Sequence, residues 1–152
     1  MNSQTINRLQ HLCDTIPGIL RKYSEKELSH KASAEKWSKK ELLGHLIDSA
    51  SNNHQRFVRA QFEDAPRIVY DQNQWNNASH YNDLDSHHLI AFWELYNRHL
   101  LEVVKRIPPE ILQRKCNADA SEPVTIAYLI DDYLRHMEHH LEQMIGKKLK
   151  TV

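Results

Sequence analysis

Apolar positions recur at intervals of three and four residues in four separate stretches of the chain, the spacing of helices that each bury one face. In the first stretch Ile6, Leu9, Leu12, Cys13, Ile16, Ile19 and Leu20 share a side, and the dipeptide Pro17-Gly18 predicts a kink or an end there. The second has a sharp start in WSKKEL, where Ser38 is placed to cap the helix, Glu41 to complete a capping box, and Trp37 to staple onto Leu42. From there Leu42, Leu43, Leu46, Ile47, Ala50, Phe57 and Val58 carry the stripe to about residue 62, before Glu63-Asp64-Ala65-Pro66 ends it. The third runs over about residues 85–106, with Leu89, Ile90, Phe92, Trp93, Tyr96, Leu100, Val103 and Val104 on its inner face and Pro108-Pro109 closing it. The fourth begins near Thr125 and places Ile126, Leu129, Ile130, Tyr133, Met137, Leu141 and Met144 on one side, with Gly146 and two lysines at its end.

Four amphipathic helices with no convincing strand between them predict an all-α protein, a four-helix bundle forming one domain over residues 1–152. The segment 66–84, between the second and third helices, is long for a helix connection, polar, and carries exposed-type aromatics. That is the profile of a functional crossover loop, and Tyr70, Asp71 and Trp75 in it are candidates to line a pocket. A second connection, 108–124, links the last two helices.

Charge narrows the classes of partner. Twenty basic and 20 acidic residues leave a formal net charge of zero, so no net field draws the chain to nucleic acid or to an anionic membrane. The N-terminal segment lacks a signal-peptide apolar run, no apolar segment approaches the roughly 20 residues of a membrane span, and there are 2 cysteines. These features predict a cytoplasmic protein with reduced thiols. Three glycines against 11 histidines is the anomaly in composition.

The histidines concentrate in RHMEHHLEQM, residues 135–144. His136 and His140 lie four apart, hence one above the other on a helix, beside the apolar stripe of Tyr133, Met137 and Met144; two imidazoles so placed chelate one ion. A catalytic centre of the zinc type needs a third protein ligand and an open position. His45, in ELLGHLIDSA on the core side of the second helix, is the candidate. Asp48, one turn further, is placed to orient a ligand ring or a bound water. His139 points about 100° away from His140 and reads as surface or interface. His11, His30, His54, His87, His88 and His99 read as solvated, and His80 sits in the long loop. HMEHH matches neither HExxH nor HxxEH, the single Glu-x-x-His pair from Glu27 to His30 is too little for a di-iron centre, and there is no CxxC, phosphate loop or GxSxG.

With those residues in hand the sequence resembles the DinB-like superfamily of metal-binding four-helix bundles. The resemblance rests on WSKKELLGHLIDSASNNHQRF in the second helix and HMEHHLEQM in the fourth, where two histidines four apart are followed by a glutamine. It implies His45, His136 and His140 as metal ligands. Gln143 matches the family's glutamine, although the glycine that commonly precedes it is Glu142 here. It also implies an up-down-down-up connectivity, often a homodimer, and a divalent ion, zinc or nickel foremost; manganese and iron are also compatible with three histidines. Some relatives of this kind are thiol S-transferases using bacillithiol or mycothiol. The expected function is therefore a metal-dependent small-molecule transferase or hydrolase, in which the ion activates a low-molecular-weight thiol or water, with Asp48 and Gln143 supporting the ligands. The alternatives are a non-catalytic bundle that holds an ion or a small molecule, and a helical interaction module with no metal.

Overall fold

The computed structural model describes residues 3–119 and 121–150. Helix α1 spans Ser3–Leu20, a short α2 Glu25–Ser29, α3 Lys39–Arg59, α4 Gln72–Ser79, α5 Ser86–Lys105 and α6 Ile126–Ile145. A two-residue antiparallel ladder pairs β1, Lys115–Cys116, with β2, Val124–Thr125, just ahead of α6. The four long helices are the ones the apolar pattern predicts. None of the helices is long and apolar enough to cross a membrane.

Contacts across the helix pairs give their directions. Lys39 reaches Met144, His45 meets both His136 and His140, and Ser49 meets His136, so α3 and α6 run antiparallel. Asp14 with Arg98 and Arg21 with Glu94 make α1 and α5 antiparallel, whereas Thr5 with Asp131 and Arg8 with Glu138 make α1 and α6 parallel. Helices α3 and α5 therefore point the same way, the up-down-down-up order, and they pack closely along their length. A parallel pair forces the chain between them to travel back along the bundle, which is why that connection is long.

From α2 onward each helix start is set by a side-chain oxygen. Ser38 and Glu41 form the expected capping box on α3, Asp85 accepts from His88 N at the start of α5, and Thr125 accepts from Tyr128 N at the start of α6. Gly146, in the left-handed region at φ 75°, ends α6, and the Lys39 ammonium donates to the freed Met144 carbonyl at 2.7 Å. Between them lies a core whose largest fully buried side chains are Trp93 and Phe57. Each large aliphatic residue fully buried there adds roughly 1.5–3 kcal/mol.

Four expectations are corrected. Pro17 does not end α1, which continues to Leu20. The missing proline N–H leaves the Cys13 carbonyl without its helical donor, and Arg98 of α5 supplies one at 3.2 Å. Phe92 lies on a flank of α5 rather than its inner face; it is 45 % exposed and stacks between His88 and Tyr96, its neighbours four residues away. The 66–84 connection is not irregular, because Asp71 caps α4 by accepting from the backbone N–H groups of Asn73 and Gln74. His54 is half-buried rather than solvated: its Nδ1 lies 3.1 Å from the Tyr96 hydroxyl, and burial pushes its pKa down.

The crossover is clasped onto α3 at two points. Asn76 of α4 donates to the Glu41 carbonyl at 2.8 Å. The Tyr81 ring, in a 3-10 turn that follows α4, lies so close to Gly44 that a Cβ there would fall 2.1 Å from ring atom Cδ2. Gly18, on the exposed side of α1, has nothing within 4 Å of the corresponding position. The two glycines therefore respond oppositely to the same change. Gly44→Ala is expected to destabilise by about 1–3 kcal/mol through overpacking. Gly18→Ala is expected to stabilise by about 0.5–1 kcal/mol through helix propensity. Urea midpoints of the two variants check both signs.

Candidate metal centre

His45 reaches the bundle interior because it sits one turn into the buried face of α3, between Leu42 and Leu46, and it is 0 % exposed. His136 and His140 occupy successive turns of α6 directly opposite. The three ligand atoms lie within 4.8 Å of one another, and the ring centroids are 4.9, 4.7 and 4.7 Å apart, each pair edge-on. The Nε2 atoms of His45 and His136 face each other at 2.9 Å. The structure thus brings together the three histidines singled out in the sequence.

The groups behind these rings decide which nitrogen is free. Gln143, one turn after His140, holds its side-chain oxygen 3.1 Å from His140 Nδ1, so that nitrogen carries the proton and Nε2 keeps its lone pair. Ser49 Oγ lies 3.5 Å from His136 Nδ1, a longer contact in which either group can donate. His45 Nδ1 is buried with no hydrogen-bond partner among the described residues. Trp37 lies against the site, its ring centroid 4.9 Å from that of His45, and lines the same cavity as Leu42.

Burial, then the neighbouring imidazoles, push His45 down to about 3; burial and then His140 push His136 down to about 4. His140 is lowered as well, chiefly by burial. All three are therefore neutral near pH 7, with ring nitrogens converging on one point. Such a donor set fits a divalent cation, which would replace the proton shared between the facing Nε2 atoms of His45 and His136 and take three neutral imidazoles as ligands.

Asp48 makes no hydrogen bond to a ligand ring among the described residues. Its Oδ1 accepts from the Tyr81 hydroxyl at 2.5 Å, its Oδ2 has no partner among the described residues, and burial raises its pKa to about 6 against the lowering effect of Tyr81. Two cavities flank the histidines. One of about 420 Å³, on the His140 side, is lined by Trp37, Leu42, Gln72, Asn73 and Gln143 among others. The other, about 90 Å³, lies against His136 and is walled by Ser49, Asn53, Arg56 and Tyr70, with Asp132 and Tyr133.

Of the loop residues expected to line a pocket, Tyr70 does so, Asp71 is spent on capping α4, and Trp75 packs on Tyr70 with its ring 5.6 Å away, outside both cavities. His139 is exposed beside His140, and His80 ends α4 in the left-handed region, remote from the ligands' contacts. Ser49 and Arg56 were not singled out from the sequence. Their spacing of four and eleven residues from His45 on one helix was the available signal.

Fold and site together define a four-helix bundle with three converging imidazoles between two antiparallel helices. The DinB superfamily pattern matches residues 2–144, and the chain belongs to that superfamily. Two proteins of Oceanobacillus iheyensis named "Putative metal-dependent hydrolase" are similar to it. One is 23% identical over 91% of this chain and 81% of its own length. The other is 25% identical over 78% and 68%. Among solved structures, YfiT from Bacillus subtilis superposes with a TM-score of 0.81 at 18% identity, covering 96% of this chain and 87% of its own. Its structure is described as that of "a probable metal-dependent hydrolase with an unusual four-helix bundle topology". At that identity the likeness concerns the fold.

The depressed imidazoles have a thermodynamic sign. Between about pH 6.5 and pH 4 the unfolded chain takes up protons at His45 and His136 that the folded chain refuses, so stability falls as pH falls, by up to about 1.4 kcal/mol per proton per pH unit. Asp48 acts in the opposite direction, because its raised value lets the folded chain bind a proton at a pH where the unfolded chain does not. With two groups against one, the metal-free protein is expected to lose stability from about pH 6.5 to pH 4.5, and His136→Gln to flatten that loss. Urea unfolding at a series of pH values reads both; a flat profile in the wild type would contradict a neutral, buried histidine cluster.

Proposed function

We propose that the chain is a metal-dependent enzyme acting on a small molecule, with His45, His136 and His140 holding one divalent ion. The observation that carries this reading is the convergence of three neutral imidazole nitrogens beside a cavity of about 420 Å³. The names of the Oceanobacillus relatives support hydrolysis as the reaction. The resemblance to thiol S-transferases supports a second form of the same chemistry, in which a low-molecular-weight thiol replaces water.

When bound, such an ion withdraws electron density from a coordinated water or thiol and so supplies a nucleophile near neutral pH. The chain's own residues prepare that position. Gln143 accepts from His140 Nδ1 and keeps Nε2 aimed inward, and Ser49 contacts Nδ1 of His136. Trp37 covers His45 and excludes water from that side. Asp48 is a positioning residue: by accepting from Tyr81 it ties the crossover to α3 one turn from His45. Cys13 and Cys116 are both buried, and burial pushes Cys13 up to about 11 and Cys116 upward, so neither supplies the thiolate. A thiol cosubstrate must come from outside the chain. Zinc or nickel suits three imidazoles, with manganese and iron as alternatives. The same reading places the protein in the cytoplasm, where thiol cosubstrates are reduced.

Elemental analysis of untagged protein is expected to find about one divalent ion per chain, lost in the double variant His136→Ala, His140→Ala. Chelation should lower Tm by roughly 5–10 °C, and restoring the ion at about 100 times its Kd should reverse the change. No ion in the wild type, with no uptake of zinc, nickel or manganese, would overturn the enzyme reading. Parallel assays of ester or amide hydrolysis and of thiol transfer on the loaded protein then separate the two forms.

A further inference from the structure

Arg56 is a half-buried cation that forms no ion pair among the described residues. Its Nε and Nη2 donate to the Ile68 carbonyl at 3.1 and 2.9 Å, and Nη1 makes a long contact of 3.4 Å to Asn53 Oδ1. A guanidinium carries five N–H groups, so one on each of Nη1 and Nη2 remains uncommitted. Among the described residues no carboxylate is in ion-pair contact with it. Asp132 stands at the rim of the same cavity, but its side chain is 52 % exposed and its Oδ1 is turned to Arg135 at 3.1 Å. Burial of a charge is unfavourable, and here burial is the main cause lowering the Arg56 pKa, with Tyr70, Cys116, Asp132 and Asp119 opposing it more weakly.

The space that Arg56 faces is polar and small. It holds about 90 Å³ and is walled by Ser49, Asn53, Tyr70 and His136, with Tyr133 and, at its rim, Asp132. The Ile68 carbonyl fixes the guanidinium from behind, so its orientation is set before any ligand arrives. Two N–H groups held in this way suit the two oxygens of a carboxylate. His136 forms one wall of this cavity and also contributes a nitrogen to the candidate metal centre, so a group bound at Arg56 would sit next to the reaction site.

We propose that Arg56, with Ser49, Asn53 and Tyr70, forms an oxyanion subsite that binds a carboxylate of the substrate. The chain then acts on small carboxylic acids, or on a carboxylate-bearing thiol, in preference to neutral molecules of the same shape. Its use in catalysis rests on the metal-dependent reading above; the binding of the anion does not. Titration calorimetry with 3-mercaptopropionate and its neutral analogue 3-mercaptopropionamide tests it on metal-loaded protein, and with propionate and propionamide on metal-free protein. The acid is expected to bind about tenfold or more tightly than the amide in the wild type. That preference should shrink to less than about threefold in Arg56→Gln and be partly kept in Arg56→Lys. A bound cation favours the acid in every variant, so the difference between variants is the readout.

An equal preference in wild type and Arg56→Gln overturns the subsite and leaves the metal reading standing. Propionate binding to a wild type that takes up no ion, lost in Arg56→Gln, keeps the subsite and removes the metal reading. If Arg56→Gln fails to fold, the metal-free wild type still decides: no preference for propionate over propionamide overturns the proposal.

Discussion

The register between α3 and α6 is the constraint on which the site depends, because a slip of one residue in either helix would turn its histidines by about 100° away from the others. The register is held at separate points along the pair. Lys39 ties the start of α3 to the Met144 carbonyl, and the capping box of Ser38 and Glu41 sets where the α3 stripe begins. Leu43 and Leu46 of α3 and Met137 and Leu141 of α6 bury their side chains around the histidines. Apolar packing and two helix ends therefore position polar ligands that gain nothing from being close to one another; three neutral rings edge to edge become favourable neighbours when a cation stands between them.

Most of that register could be read in the sequence because it is written in local signals. His136 and His140 at a spacing of four, the cap at Ser38, and a core-side His45 among leucines are each a property of one helix, and one helix is what periodicity describes. Helix α4 was hidden because QNQWNNAS is polar and has no apolar stripe; its one local sign was Asp71, three residues before Gln74, at the spacing of a helix start. The bond from Tyr81 to Asp48 was not legible at all. It depends on Gly44 leaving room for a ring 37 residues further along the chain, a contact that no periodic pattern encodes. Arg56 was not singled out from the sequence, since only the fold shows that Ile68 returns over it.

The parallel course of α3 and α5 explains why the crossover contributes to the site. A connection that must run back along the bundle passes both sides of the histidines: Tyr70 lines the small cavity, and Gln72 and Asn73 line the larger one. Asn76 and Tyr81 then fasten it to α3. The two cavities are thus bounded by a segment whose sequence can vary in composition while its anchors stay in place, so the same histidine cluster could serve different substrates by changes in that one segment.

Pro17 bears on how the helices choose their neighbours. The carbonyl of Cys13 lacks the N–H that any residue but proline would offer it at position 17, and Arg98 supplies a donor from outside the helix. A bundle assembled with another helix in the place of α5 would leave a buried carbonyl unpaired, at about 1–3 kcal/mol. A residue usually read as an interruption therefore acts as a recognition mark between segments some 80 positions apart in the chain. It favours one order of helices over the alternatives that equally apolar faces would allow.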